Sequence, residues 1–436
     1  MEWWIFFSLF VLTLISLMLL RVPVGIALLA TSVGGSVILY GFAPAVRLSV
    51  LGMTTSLSTF NLVPVPLFIL MGDLLFRAGI ATSALDAISK LLGRMPARKA
   101  VLATAAGGLL GVVSGSPMAT TAILGRTLVP QMVAAGYNHS LAMGSVLGSG
   151  GLAMIIPPST LIVIFGATAG VPIGPLLVAG LVPGLLMAVN YAAVSMVWGG
   201  IFHGAPTEQV PKVSAGERLR VLTRDVLPLT SIVIMILGTI LLGVATPSES
   251  AALGTLAAVG LVIVYRRFTW KLLWQAGVET AAVTGMVFLI VSAATIYGQV
   301  LAGSGASRGL APLLSSAASS AGMAILLMCA ITIVLGMFLE QIAIILLTVP
   351  FFMPLVAEFG IDEIWFGIIF MIVLQIGLTS PPFGMTLFVM KNYQPAGTRT
   401  VEVWRGALPY IGADCVTVTI LFLVPPIVTF LPAAIT

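Results

Sequence analysis

The chain has 436 residues, of which 59% are hydrophobic and only 8% are charged. A soluble protein carries about 25% charged residues, so this composition predicts a polytopic membrane protein and excludes a soluble enzyme. The net charge of +5 comes from lysines and arginines between apolar runs, which is typical of membrane proteins and does not indicate nucleic-acid binding. Cys329 and Cys415 lie within apolar runs and give neither a disulfide framework nor metal-ligand spacing.

The first apolar run, Trp3 to Leu20, lacks the basic start and the small-residue cleavage site of a signal peptide. We interpret it as a retained helix, and a further helix is predicted over 61–77. Lysine and arginine concentrate on the cytoplasmic side of membrane proteins, and after these helices they form four groups. The groups are Lys90, Arg94, Arg98 and Lys99; Lys212, Arg218, Arg220 and Arg224; Arg266, Arg267 and Lys271; and Lys391, Arg399 and Arg405.

If all four groups lie inside, an even number of crossings must separate each group from the next. This condition predicts two re-entrant hairpins that enter from opposite sides, with the small polar segment 302–322 outside. Arg21 inside then puts the N-terminus outside, and the last helix leaves the C-terminus outside as well. The predicted elements in chain order are hairpin 100–134, interrupted segment 140–170, helices 176–202, 227–245, 250–265 and 275–300, hairpin 324–356, interrupted segment 363–391 and helix 406–430.

Two double prolines mark an internal repeat. The stretches "GSGGLAMIIPPST" (148–160) and "TSPPFGMT" (379–386) both set adjacent prolines among small and hydroxyl residues. An offset of 224 residues relates Pro157 to Pro381, Pro130 to Pro354 and Gly136 to Gly360. Five predicted crossings separate the two copies, and an odd number means that the second copy is inverted. Inverted repeats with broken helices are characteristic of secondary transporters; the alternative is that each double proline merely kinks a helix.

Each copy pairs a hairpin tip with a broken helix, and their chemistry suits ions. The first tip, "VVSGSPMATT" (112–121), carries Ser114 and Ser116. Unwound backbone and hydroxyl groups supply the oxygen ligands that hard cations take. Neither break contains an ionisable residue, so a bound sodium ion would attract an anionic substrate, and helix N-termini add positive potential. The pattern therefore predicts an anion and sodium held together by neutral groups.

Charged residues at membrane depth are also candidates. Glu340 lies in the second tip, "VLGMFLEQIAI", and an intramembrane carboxylate is a functional candidate, although it could instead cap or bridge the tip. Arg126 would suit a substrate carboxylate; like Asp73, it could instead pair within the bundle. No carboxylate pair or Ser/His constellation accompanies His139 and His203, so catalysis within the membrane is not predicted.

The stretches "GVVSGSPMATTAILGRTLVPQMVAAGY", "GGLAMIIPPST", "FLEQIAIILLTVPFFMPL" and "IGLTSPPFGMTLFVMK" closely resemble the large membrane subunit of tripartite ATP-independent periplasmic (TRAP) transporters. The resemblance covers nearly the whole chain. It implies an all-α polytopic fold of the ion-transporter superfamily, an inverted repeat with two re-entrant hairpins and two broken helices, and elevator-type transport. It also implies sodium-driven import of an organic acid anion across the bacterial inner membrane, with no cofactor besides the coupling ion Na⁺. The implied partners are a small four-helix membrane subunit and a periplasmic substrate-binding protein.

In that family, sodium lies where a hairpin tip meets a broken helix. The resemblance thus implies a first sodium site at Ser114, Ser116, Gly151, Met154 and Pro157, and a second at Gly336, Gly377, Thr379, Pro381 and Met385. It places the substrate between them, near Ser159, Thr160 and the tips, with Arg126 and Glu340 as further candidates.

The predicted domains follow from these elements. They are N-terminal scaffold helices 1–80, a first repeat 81–202, a loop with connecting helices 203–300, a second repeat 301–405 and a C-terminal helix 406–436. The two repeats are expected to form the transport domain. The alternatives are a stand-alone sodium–carboxylate symporter of the same superfamily, a channel and, more remotely, a membrane enzyme.

Overall fold

The computed structural model describes residues 2–20, 22–93, 95–202, 214–306, 309 and 320–434, and all regular elements in these ranges are helices. Proline supplies a fixed φ at the start of several of them, where its missing N–H is not needed. Helices of the first half are α1 Trp3–Leu19, α2 Val24–Tyr40, α3 Phe42–Leu57, α4 Pro64–Arg77, α5 Ile80–Leu91, α6 Arg98–Ser114, α7 Pro117–Ala134, α8 His139–Ile155, α9 Thr160–Ala169, α10 Ile173–Ala179 and α11 Leu181–Val197.

The second half repeats this order. Its helices are α12 Ala215–Val221, α13 Leu227–Leu241, α14 Pro247–Val264, α15 Trp270–Gly303, α16 Ala321–Gly336, α17 Gln341–Glu358, α18 Glu363–Thr379, α19 Met385–Lys391, α20 Thr400–Leu423 and α21 Pro426–Ala433. By length and apolar composition seven described helical segments can cross a membrane, or eight when α8 and α9, bent by 46° at their break, count as one span. The prediction of an all-α polytopic membrane protein with broken helices is confirmed.

The offset of 224 residues holds for whole helices. Adding 224 to the bounds of α7 (117–134) and α8 (139–155) gives 341–358 and 363–379, the bounds of α17 and α18. The same sum carries the starts of α1 and α2 to the start of α13 and to one residue inside α14. Even the caps correspond, since Asn138 accepts the Ser140 N–H at α8 and Asp362 accepts the Trp365 N–H at α18, both at 2.8 Å. The repeat is thus built into the helix boundaries.

The two repeats pack across each other in the same way. The short helix α9 contacts α17 of the other copy, and its counterpart α19 contacts α7. Likewise α2 packs on α15 and its counterpart α14 packs on α4. Helices α8 and α18 are buried along nearly their whole length, as expected for helices that are apolar all round. They form the centre of the fold.

The two hairpins, α6–α7 and α16–α17, have their open ends at opposite ends of the bundle. His139, just after the first hairpin, shares a hydrogen bond of 2.9 Å with Thr398 beside the start of α20. Trp365, just after the second hairpin, donates Nε1 to the Leu421 carbonyl near the end of α20 at 2.9 Å. Helix α20 has 24 residues, about 36 Å at 1.5 Å per residue. The predicted inversion of the second copy is therefore confirmed.

The predicted boundaries need three corrections. The last helix, predicted as continuous over 406–430, runs over Thr400–Leu423 and is followed by a separate helix from Pro426, because Pro425 and Pro426 interrupt it. Helix α15 begins at Trp270 rather than 275. Segment 176–202 divides at Gly180 into α10 and α11. Arg21, Arg94, Lys212, His203 and most of 302–322 lie outside the described residues.

Candidate functional site

The first hairpin tip is a tight hydroxyl-lined turn. Gly115 has a φ of +59°, a left-handed conformation that glycine adopts without strain. Ser116 then caps α7 by accepting the Ala119 N–H at 3.4 Å, and Ser114 Oγ lies 2.7 Å from Thr120 Oγ1. A Cβ atom at Gly115 would lie 2.8 Å from Thr160 Oγ1. The tip therefore touches the start of α9, as predicted.

Each double proline removes two N–H donors, and an equivalent freed carbonyl is held by a side chain in each repeat. Pro158 and Pro382 have no N–H, so the carbonyls four residues earlier, of Met154 and Leu378, lose their helical donors. Ser159 Oγ donates to the Met154 carbonyl at 2.8 Å, and Thr386 Oγ1 donates to the Leu378 carbonyl at 2.7 Å. A carbonyl has two lone pairs, so each can still accept a second partner.

The second tip is packed differently from the first. Gly336 lies against Gly377, where a Cβ atom on the former would be 2.7 Å from the latter's Cα. Phe338 packs on Phe383 of the break with ring centroids 5.3 Å apart. These two rings stand 224 positions after Ser114 and Ser159. The second repeat therefore has aromatic side chains where the first repeat has hydroxyls, one at its tip and one at its break.

The remaining predicted residues of the second sodium site lie along the break. Thr379 Oγ1 donates to the carbonyls of Gln375 and Ile376 at 2.8 and 3.2 Å. Met385 begins α19 and is half-buried. Backbone carbonyls beside Gly377 and Pro381 are thus the oxygen ligands that this site offers to a hard cation.

A cavity of about 580 Å³ lies between the two tips, within the range of small-molecule sites. Three helices begin at its wall, namely α7, α9 and α17, and Ser114, Ser116 and Thr160 are among its lining residues. Helix N-termini carry partial positive charge and unpaired N–H groups, which attract anions. We call this space the central cavity. Its chemistry suits a carboxylate.

The far wall of the central cavity is formed by α4 and α15. Gly72 of α4 touches the first tip so closely that a Cβ atom there would overlap the Val113 carbonyl oxygen. Asp73 also lines this wall and forms a salt bridge with Arg77 one turn along the helix. Glu279 of α15 and Glu340 at the second tip add two more carboxylates. The cavity is therefore lined by helix N-termini at the tips and by carboxylates both on the wall and at the second tip.

The structure brings only some of the predicted substrate residues to this cavity. Thr160 and Glu340 line it. Ser159 is fully buried and caps α9 through the Ile162 N–H at 3.5 Å. Arg126 is exposed on α7 and is absent from the cavity wall. Ser159 therefore hydrogen-bonds within the protein, and the position of Arg126 does not support a role in substrate binding.

Sequence reasoning missed a buried amide between the broken helices. Gln375 is fully buried, and neither its side-chain oxygen nor its nitrogen has a hydrogen-bond partner among the described residues. It lies 224 positions after Gly151, and a Cβ atom at Gly151 would be 2.5 Å from the Gln375 amide carbon. Gly151 thus makes room for this side chain, and the repeat offset was the signal that could have found the pair. Thr386 and Gln341 were missed as well.

Comparisons with known proteins agree with this geometry. Residues 11–427 match the family model "Tripartite ATP-independent periplasmic transporter, DctM component". The chain is 29% identical to the ectoine TRAP transporter large permease protein TeaC of Halomonas elongata, over 97% of this chain and 98% of that one. It is 30% identical to the C4-dicarboxylate TRAP transporter large permease protein DctM of Pseudomonas aeruginosa, over 92% and 91%. The fold is similar to the crystal structure of the Alcanivorax borkumensis YdaH transporter, with a TM-score of 0.59 over 87% of this chain and 88% of that one, at 14% identity.

Proposed function

Because the chain belongs to the DctM family of TRAP transporter large permease subunits, we propose that it imports an organic acid anion together with sodium. Large permeases of this family work with a substrate-binding protein and a small permease subunit. The observation that carries the proposal is the central cavity, where hydroxyls and three helix N-termini converge between two oxygen-rich breaks. The N-termini suit a carboxylate, and the freed carbonyls suit sodium.

We place the basic end of the bundle in the cytoplasm. Arg267 Nη1 donates to the Ala78 carbonyl at 2.8 Å, and Tyr265 donates to the Arg224 carbonyl, so separate basic groups meet at one end. Positive charge concentrates on the cytoplasmic side. Helix α13 begins at this end, beside Arg224, and its inverted counterpart α1 therefore begins in the periplasm. Helix α20 ends at the opposite end of the bundle, so the C-terminal segment also lies on the periplasmic side of the bacterial inner membrane.

The movement we propose is an elevator. The hairpins and broken helices, which hold cargo and sodium, slide along the wall made by α4 and α15. Because Gly72 has no side chain, the wall packs closely against the first tip there. The two inverted repeats are related by a pseudo-twofold axis, and this symmetry provides two equivalent positions of the moving domain. The repeats 81–202 and 301–405 would then form the moving domain.

Uptake into proteoliposomes tests these statements. The reconstituted permease, with its small subunit and binding protein, is offered labelled ectoine, succinate or N-acetylneuraminate with and without an inward sodium gradient. We expect sodium-dependent uptake of one acid only when the binding protein is present. Uptake without the binding protein would support a stand-alone symporter, and a current independent of all three acids would support a channel.

Two substitutions test the sodium sites. We expect Ser114→Ala and Thr379→Ala to raise the sodium concentration for half-maximal uptake several-fold. Ser114→Ala removes a hydroxyl oxygen at the first tip, and Thr379→Ala removes the hydroxyl that bonds the Gln375 carbonyl at the second break. The control is Ser231→Ala on α13, where the hydroxyl bonds only the Pro228 carbonyl. Wild-type sodium dependence in both site variants would contradict the placement.

A further inference from the structure

A second opening lies farther along α15, toward its C-terminal end. This outer cleft, of about 350 Å³, lies between α3, α15 and the second hairpin. Its lining includes Thr55, Thr59 and Leu62. Adding 224 to these numbers gives Glu279, Val283 and Met286, which line the central cavity. Three positions that line one opening are therefore equivalent to three that line the other.

The equivalence identifies what differs between the openings. The tips and breaks would travel with the cargo, so their groups accompany it in both positions. Only the wall changes, and a difference between its halves can make the affinity for cargo differ between the two positions. At the cytoplasmic half the wall presents Glu279, whereas the equivalent position at the outer half is the neutral Thr55.

Glu279 is the charged group that makes this difference. Its side chain is exposed, and no hydrogen bond or ion pair is found for it among the described residues. Asp73, the other wall carboxylate, is compensated by Arg77, and its equivalent, Tyr297, is an uncharged buried residue. The described residues that line the outer cleft include no charged side chain. An anion thus meets uncompensated negative charge on the wall only after it reaches the inner half.

We propose that Glu279 is a release residue, whose carboxylate repels the anionic cargo from the central cavity into the cytoplasm while the neutral Thr55 leaves binding from outside unhindered. The inference rests on the proposed function, since it assumes an anionic cargo and two positions of the moving domain. Like charges at short range repel, and in a water-filled cavity salt screens that repulsion. Glu279 should therefore affect binding from the inside and not from the outside.

The local potential can be measured without any cargo. Val283→Cys in the central cavity and Thr59→Cys in the outer cleft are equivalent positions, placed in a background that carries Cys329→Ala and Cys415→Ala. Each is reacted with an anionic and with a cationic methanethiosulfonate reagent. We expect Glu279→Thr to raise the anionic-to-cationic rate ratio several-fold at position 283, more so at low salt, and to leave position 59 unchanged. An unchanged ratio at position 283 would overturn the inference.

Transport then tests the consequence. In complete proteoliposomes, with whichever of the anions succinate or N-acetylneuraminate the wild type carries, we expect Glu279→Thr to lower the internal half-saturating concentration in counterflow several-fold. The external KM should stay within twofold. The converse change, Thr55→Glu, should raise the external KM several-fold. Glu358→Gln, an exposed carboxylate outside both openings, serves as control.

The outcomes separate the two claims. A wild-type complex that takes up none of the three acids contradicts the proposed function for these cargoes, while the reagent ratios still report whether Glu279 sets the cavity potential. A wild type that transports, with unchanged internal half-saturation in Glu279→Thr, overturns the release role alone. A general structural defect would instead lower the uptake rate without separating the two sides.

Discussion

Replacing Ser159 with alanine tests the central structural claim, that a side chain holds the carbonyl which the double proline frees. Ser159 Oγ makes two bonds: it donates to the Met154 carbonyl at 2.8 Å and accepts the Ile162 N–H at 3.5 Å. Both Ser159 and Met154 are fully buried, and no helical N–H can replace the lost donor because position 158 is proline.

The magnitude follows from these two bonds. Loss of an N-cap side chain costs about 1 kcal/mol, and a buried carbonyl without a partner costs about 1–3 kcal/mol. We therefore expect Ser159→Ala to lower the free energy of unfolding by about 2–4 kcal/mol. The effect is local to the break, so the helices on either side should keep their structure in circular dichroism.

The matched control is Ser149→Ala, ten positions earlier on α8. Ser149 is also fully buried, but its hydroxyl donates to the Ser145 carbonyl within an unbroken helix, where the backbone N–H of residue 149 remains as donor. We expect this change to cost no more than about 1 kcal/mol. Reversible unfolding of purified protein in mixed detergent micelles, followed by tryptophan fluorescence, measures both. Equal losses for the two variants would refute the reasoning.

Two further changes test contacts elsewhere in the fold. Gly336→Ala puts a methyl group 2.7 Å from the Gly377 Cα, so we expect it to destabilise the second tip by about 1–3 kcal/mol. In the same unfolding assay the control Gly322→Ala, with its nearest neighbour at 3.5 Å, should be tolerated. Tyr191→Phe removes the hydroxyl that donates to the buried Asp414, and we expect the free energy of unfolding to fall by about 1–3 kcal/mol. The control is Val189→Ala on the exposed side of α11. A loss no larger than that of the control would argue against the bond.

The elements that sequence could predict are those whose causes are local. Proline removes its own N–H wherever it stands, so "PPST" and "SPPF" marked the two breaks without any knowledge of packing. The repeat was equally accessible, because equal spacing between prolines and glycines survives in the linear chain. The same rule applies at "LVPPIV", where Pro425 and Pro426 end α20 at Leu423 and so divide the last predicted helix.

The groups that sequence could not supply depend on contacts between distant segments. Thr386 lies eight residues beyond the carbonyl to which it donates, a distance that no helical or capping pattern predicts. Gly72 reads as an ordinary small residue until the first tip is placed against it. The amide of Gln375 acquires meaning only because Gly151 lies opposite. In each case the chemistry was visible in the chain, while the partner was not.

The repeats agree in backbone and differ in side chains, and the two properties have separate consequences. In the elevator that we propose, the equal bounds of equivalent helices and the equivalent freed carbonyls would give the moving domain two positions of comparable packing, because what one copy does at one face the other can do at the opposite face. If side chains were equal too, the two positions would bind cargo with equal affinity, while the ion gradient sets the direction of net uptake. At three offset pairs the chain instead places serine against glutamate at 116 and 340, threonine against glutamate at 55 and 279, and serine against phenylalanine at 114 and 338. Each replacement adds charge or removes a hydroxyl in the second copy, so the affinity for cargo can differ between the two positions although the backbone frame is symmetric.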